Sequence, residues 1–368
     1  MKEQVNKMTE QEIQASSIGN TFPPIKEMQM YDEGNKRLKG FCTEAIDSSS
    51  ELEKWVSGVE KLHSFLTQRD RIDSVTRTTL RFVVNEGVTI PESISGGIEA
   101  VLPLDGKFRG YNLVYFGRNH ETRRAPEDKI ETQRATAEKA DKEVQFKGDQ
   151  SLRILRYTEK PGLIFQNIKA PFEREQFSDL VRRLVVLYNK TYLGDYAFPI
   201  TEETVSSILS RNTNVVIAAK DKFTNDIYSV AVGETASIPI SVGGKVKNLS
   251  IAEISDAASD PDGHQERGYY STIVCELARE LVKLGMDVVY SETRAQSEAV
   301  LRATRKSGLR LMRDLKGRAS ILHKHCIIGG ARNEELDERD GNKDNIYNGF
   351  ENLIVWHATR KDLMDVYA

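Results

Sequence analysis

Six consecutive residues, Gln265-Glu266-Arg267-Gly268-Tyr269-Tyr270, stand directly before the most regular apolar stripe of the chain and have the makings of an anion site. Main-chain N–H groups at a helix start have no intrahelical acceptor, and the helix dipole adds partial positive charge there. Glycine at 268 lets the backbone approach a phosphate with no Cβ in the way. Each charge-assisted bond is worth about 1.5–3 kcal/mol, so several converging amides would hold a diphosphate. Upstream, Glu253 and Asp256 lie on a predicted strand that runs into this loop. Three apart on a regular strand, they should point to opposite faces, so only one of them can serve a reacting centre as a base. The aromatic set Tyr188, Tyr192, Tyr196 and Phe198 either flanks a cation or simply fills a core at helical spacing. His323 and His325 would share a strand face, but no second His/Cys pair lies at zinc-like spacing, so no metal is expected.

The elements around these residues follow from periodicity. Ile273, Val274, Leu277, Ala278, Leu281 and Val282 mark a helix that Gly285 should stop. Before it, Val215–Ala219 and Ile227–Glu234 read as paired strands, a Gly243-Gly244 turn leads to the strand Val246–Asp256, and a polar loop spans 257–266. After it come a strand over Met286–Ser291, a helix over Gln296–Lys306 stopped by Gly308, and strands near 319–327 and 352–357. Phe177, Leu180, Val181, Leu184, Val185, Tyr188 and Tyr192 predict another amphipathic helix, with a short one around Val205–Leu209. The first third holds a helix near Leu52–Leu66 and strands at 79–85, 97–102 and 111–118. This divides the chain into a loosely ordered arm (1–35), a small α+β domain (36–120), a charged linker (121–160) and a larger domain (161–368).

Length and composition agree with two domains. The chain has 368 residues, 39% apolar and 29% charged, with a net charge of -3. Such a balance offers no general attraction to nucleic acid or an anionic membrane. No apolar run approaches the roughly 20 residues of a membrane span, and the polar first residues lack a secretory h-region. Three widely spaced cysteines do not form a disulfide framework, which points to the cytoplasm.

In this order the motifs resemble the GNAT superfamily, whose signature is Arg/Gln-x-x-Gly-x-Gly/Ala between a strand and a helix. Gln265 takes the first position and Gly268 the fourth; Tyr270 occupies the sixth, where the family has Gly or Ala. A closer resemblance is to the beta-lysine N-acetyltransferase branch. It is carried by Leu187-Tyr188-Asn189-Lys190-Thr191-Tyr192, Phe198-Pro199-Ile200, Ala252-Glu253-Ile254-Ser255-Asp256, Arg267-Gly268, Ile328-Gly329-Gly330 and Phe350-Glu351-Asn352-Leu353-Ile354-Val355-Trp356. More faintly, Leu102-Pro103-Leu104 through Tyr115-Phe116 is similar too.

The resemblance implies an α/β (α+β) fold: a GNAT-type mixed, mostly antiparallel sheet flanked by helices, beside a smaller N-terminal α+β domain. It implies acetyl-CoA as co-substrate and a small-molecule primary amine, such as that of beta-lysine, as acceptor. Ala257, Ala258, Gln265, Glu266, Arg267, Gly268, Tyr269 and Tyr270 would hold the cofactor, and Tyr192, Phe198 and Asp256 the acceptor. Glu253 would be the base. The family's acid is often a tyrosine four residues before the glycine closing the next helix; that position is Thr304, which leaves Tyr270, Tyr269 or solvent to protonate the thiolate. A protein or carrier-bound amine, a longer acyl group, or acyl-CoA binding without turnover are the alternatives.

Overall fold

The structure, a computed structural model, describes residues 25–26, 31–32, 37–68, 77–119, 127–144, 163–168, 174–192, 200–262, 268–295, 297–327 and 350–367. They fall into two compact units. One comprises Met1–Arg123, Ile238–Leu249 and Arg313–Gly317; the other comprises Arg124–Ser237, Ser250–Met312 and Arg318–Ala368.

The first unit contains strands β1 (Ile25–Lys26), β2 (Tyr31–Asp32) and β3 (Arg37–Cys42), helix α1 (Ser49–Gln68) and strand β4 (Arg77–Asn85). The short helix α2 (Glu92–Ser95) and strands β5 (Ile98–Pro103) and β6 (Tyr111–Asn119) follow. Its sheet order is β1-β3-β4-β6-β5, with β2 also on β3. The stretch expected to be a loose arm therefore contributes two short strands, each held by main-chain pairing to β3. On one sheet face, Leu80, Phe82, Val84, Val114 and Phe116 bury Leu52, Trp55 and Val56 of α1. Strand alternation sends Arg77, Thr79 and Arg81 to the other face. There Arg77 pairs with buried Glu99, and Arg81 lies over the rings of Phe41 and Tyr115 at 5.1 and 4.6 Å. Glycine at 117 leaves room for the Arg77–Glu99 pair, whose side-chain ends a Cβ there would displace.

The second unit holds the residues with chemistry. It begins with helix α3 (Glu127–Glu143), strand β7 (Leu163–Ile168), helices α4 (Arg174–Tyr192) and α5 (Glu202–Ser210), and strands β8 (Asn214–Asp221), β9 (Ile227–Val242) and β10 (Lys245–Ser259), the hairpin segment Ile238–Leu249 belonging to the first unit. Then come helix α6 (Tyr269–Lys283), strand β11 (Val288–Arg294), helix α7 (Glu298–Lys306), strands β12 (Arg310–Leu311), β13 (Ile321–Ile327) and β14 (Phe350–Thr359), and helix α8 (Arg360–Tyr367). Sheet order is β12-β14-β11-β10-β9-β8-β7, with β13 also on β14. The pairs β7–β8, β8–β9, β11–β14, β12–β14 and β13–β14 are antiparallel, whereas β10 and β11 run parallel. This is the mixed, antiparallel-rich sheet flanked by helices that the sequence implies.

Alternation along the strands divides the core. Val215, Ile217, Ala231, Ala252, Ile254 and Val289 face α6 through Ile273, Leu277 and Leu281. Val216, Ala218, Val230 and Val232 face α4 and α5 through Leu184, Tyr188, Val205 and Leu209. Within the expected linker, α3 is a packed helix: Ile130, Ala137 and Ala140 are fully buried in the core that α6 covers. Strand β7 and helix α8 carry no strong periodic signal and were not expected. No helix among the described residues is long and apolar enough to cross a membrane.

Candidate active site

Strands β10 and β11 pair at Ile251–Val288, Ala252–Val289 and Glu253–Tyr290. Among the described residues their main-chain pairing ends there, although β10 continues to Ser259 and β11 to Arg294. Beyond that seam a side chain bridges them, Ser291 Oγ donating to the Ile254 carbonyl at 2.9 Å. The result is an opening between two strands of one sheet.

The β10 lip has an irregular shape with an identifiable cause. Asp256 has φ 44°, a left-handed conformation at a non-glycine residue. Before it, Ala252 and Ile254 face α6; after it, Ala257 packs on the α6 side and Ala258 on the α4 side. The alternation therefore flips at Asp256, as a bulge does. The regular two-residue period on which the opposite-face expectation for Glu253 and Asp256 rests is broken at Asp256 itself. Four successive carbonyls beyond it accept from side-chain hydroxyls: Asp256 from Tyr188 (2.8 Å), Ala257 from Tyr192 (2.7 Å), Ala258 from Ser229 (2.9 Å) and Ser259 from Thr191 (3.0 Å). Lys190 also reaches Asp260 and Asp262 at 3.6 and 3.1 Å. Ala257 and Ala258 thus belong to the strand, not to the loop, and the Ala258 side chain is buried beneath α4.

At the root of the opening stands Glu253, half-buried on the sheet face opposite α6. Tyr290, its register partner and fully buried, donates its phenol to Glu253 Oε2 at 2.8 Å. That contact joins positions 37 apart and has no sequence signature. A donor on one oxygen fixes the direction of the carboxylate. Tyr290→Phe is expected to lower kcat about tenfold, the worth of one hydrogen bond to a charged group. The KM for acetyl-CoA should stay within about twofold of the parent's; an unchanged kcat would remove Tyr290 from the positioning of Glu253.

At the other end of the opening, α6 starts from Gly268, whose φ is 77° and which gives no side-chain cap to the helix. Thr272 N–H and Oγ1 both donate to the Gly268 carbonyl, at 3.1 and 2.9 Å, which holds the first turn. A left-handed residue without a Cβ at a helix start fits a phosphate cradle. Tyr269 is buried and stacks on Tyr228 with ring centroids 5.9 Å apart. Tyr270 is half-buried against the α6 core. Burial raises its phenol above the ordinary 10.0, while the Arg294 charge pulls the other way. Gln265, Glu266, Arg267 and Phe198 lie outside the described residues. Thr304 is buried within α7.

Arg294 was not among the expected site residues, because the polar run Glu292-Thr293-Arg294 hides the last part of β11. Its guanidinium lies over the Tyr192 ring, 5.4 Å from the centroid. Tyr192 itself stacks on Tyr188, at 6.1 Å between centroids. Among the described residues no cluster of His, Cys, Asp and Glu could hold a metal; the side chains of His323 and His325 lie outside that set.

No protein-family model matches the chain, and no curated protein matches it. Solved structures with a similar chain course include the ribosomal-protein-S18-alanine N-acetyltransferase from Escherichia coli, at 15% identity over 54% of this chain and 93% of that one, TM-score 0.33. Arabidopsis thaliana NAA60 in complex with acetyl-CoA is similar at 12% identity over 54% of this chain and 98% of that one, TM-score 0.35. Aminoglycoside 6'-acetyltransferase type Ii is similar at 15% identity over 54% of this chain and 97% of that one, TM-score 0.32. At such values the likeness carries no argument about activity, which has to be drawn from the site.

Proposed function

We propose that the second unit has a GNAT-type fold, binds acetyl-CoA and moves the acetyl group onto a primary amine, that of beta-lysine or a similar small amino acid. The observation that carries this reading is the opening between β10 and β11, with a positioned carboxylate at its root and a left-handed glycine beginning the helix at its far end. An extended ligand arm entering the gap would meet the β10 edge that β11 leaves unpaired, at Ala257 and Ala258. Its diphosphate would sit on the amides after Gly268, with the loop residues Gln265, Glu266 and Arg267 beside it.

Glu253 takes a proton from the acceptor's ammonium, directly or through water. An amine with a lysine-like pKa near 10.4 costs roughly 4.6 kcal/mol to deprotonate at pH 7, and a positioned base relieves part of that. The free amine then attacks the thioester carbonyl, the new C–N bond forms, and the C–S bond breaks. Tyr270 gives its proton to the departing sulfur, and the second proton on the acylated nitrogen passes to the phenolate so formed, directly or through water; a phenol raised by burial stays protonated at neutral pH and can donate. Tyr192 and Asp256 border the acceptor. Neither Cys42 nor Cys275 forms a disulfide, which supports a reducing cytoplasm.

The test is a panel of free amines and amine-bearing peptides with acetyl-CoA, following thiol release. Turnover with free diamino acids and none with peptides is the expected result. Turnover with peptides alone assigns a protein acceptor, and a thermal shift with acetyl-CoA but no thiol release from any amine leaves a binding protein.

A further inference from the structure

Strands β8 and β9 pair residue against residue as far as Ala219 and Ser229, and the next pair is Lys220 with Ile227. Tyr228 is therefore the extra residue of a bulge. The bulge decides where its ring goes. Ala231 faces α6 and Val230 faces α4, so an unbroken two-residue period would send Tyr228 to the α4 side. Instead Tyr228 packs on the α6 side, while Ile227 lies on the α4 side. Its ring stacks on Tyr269, the first residue of α6, with centroids 5.9 Å apart and an interplanar angle of 14°. Its carbonyl accepts from the N–H of Asp260, the residue after β10 ends, at 2.9 Å. One residue of β9 thus holds both the end of β10 and the start of α6, the two stems of the segment that carries Gln265, Glu266 and Arg267. We propose that Tyr228 is a positioning residue for the diphosphate: through Tyr269 it fixes the first turn of α6, and with it the amides after Gly268, against the end of β10.

This inference rests on the acetyl-transfer reading, which puts the diphosphate on those amides. A clamp has to be fixed itself, and Tyr228 is. Its hydroxyl donates to Asp221 Oδ2 at 3.3 Å. The other oxygen of that carboxylate accepts from the Phe223 and Thr224 amides at 2.7 and 2.9 Å, so the ring is tied to the β8–β9 turn. The element it clamps is one that needs holding, because the first amides of a helix have no intrahelical acceptor and helix ends fray. Tyr269 is buried, and its stacked ring restrains that end. Amides held in place before the ligand arrives bind it without a further cost of ordering.

The experiment uses the full chain with Tyr228→Leu and Tyr228→Phe. Leucine fills apolar space but cannot stack, whereas phenylalanine keeps the stack and gives up only the bond to Asp221. Calorimetry should show the coenzyme A dissociation constant raised about tenfold in Tyr228→Leu, the upper end of what an aromatic pair is worth, and within about threefold of the parent in Tyr228→Phe. The kcat at saturating acetyl-CoA should stay within about twofold of the parent's in both. Acetylpantetheine carries the thioester arm without the diphosphate, and kcat/KM with this donor should be the same in Tyr228→Leu as in the parent. Unchanged coenzyme A affinity in Tyr228→Leu overturns the proposal. So does an equal loss with both donors, which is a general defect, or an equal loss in both variants, which moves the effect from the ring to the hydroxyl. Hydrogen exchange without ligand reads the clamp directly: the Thr272 amide, bonded to the Gly268 carbonyl, should exchange about tenfold faster in Tyr228→Leu. Unchanged exchange sinks the clamp. A parent that fails to bind coenzyme A brings down the acetyl-transfer reading itself, and the phosphate role with it. Should melts show Tyr228→Leu unfolded, Tyr269→Leu, which removes the other ring, carries the same predictions.

Discussion

Glu253→Gln is expected to reduce kcat at pH 7 about a hundredfold, at the lower end of what a positioned base contributes, with the KM for acetyl-CoA within twofold of the parent. The substitution is conservative where it matters structurally. Glutamine keeps a carbonyl oxygen that can accept from the Tyr290 phenol, so the seam between β10 and β11 retains its side-chain bond. What disappears is the ability to take a proton. The variant then depends on amine that is already neutral, and that fraction grows tenfold per pH unit below a pKa near 10.4. Its rate should therefore climb steeply between pH 7 and 9, where the parent's is nearly flat. Steady-state kinetics across that range settle the matter, and unchanged turnover at pH 7 would falsify the assignment.

The second large effect is expected at Gly268. Gly268→Asp should weaken coenzyme A binding at least a hundredfold, while Gly268→Asn should weaken it far less. Both residues tolerate a left-handed backbone better than most, and φ is 77° here, so strain is similar in the two variants. Their side chains have nearly the same size. The difference between them isolates charge: a carboxylate set among amides that bind a diphosphate repels it and accepts their hydrogen bonds itself. Calorimetric titration with coenzyme A reads the two affinities. Equal losses in both variants would mean a steric or folding defect, and no loss in either would move the diphosphate elsewhere.

Much of the frame was visible in the residues. The stripe from Ile273 to Val282, started by Gly268 and stopped by Gly285 with φ 80°, is a helix because apolar period and glycine punctuation agree. The Gly243-Gly244 turn has φ values of 54° and 76° for the same reason. Other features had no local signature. The left-handed turn at Asp256 flips the strand without a glycine to announce it, so a simple two-residue period misplaces everything beyond. Helix α3 buries a narrow stripe of Ile130, Ala137 and Ala140 amid many charges, and composition reads such a segment as solvated. The end of β11 is polar and owes its strand form to long-range pairing with β14, which is how Arg294 escaped notice. Ile25–Lys26 and Tyr31–Asp32 are strands only because β3 offers an edge.

The two rims of the opening are moored to different things. The β10 rim is stitched by hydroxyls of α4 and β9, and the β11 rim by its ladder to β14 from Val288 to Arg294. Among the described residues the main-chain pairing between them ends at Glu253 and Tyr290, like the spine of a book. A wedge pushed between the pages need break no main-chain bond in either half. Guests of different thickness can thus be admitted by pivoting about that spine, at the expense of light fastenings such as Ser291 to Ile254, while the carboxylate nearest the hinge hardly moves.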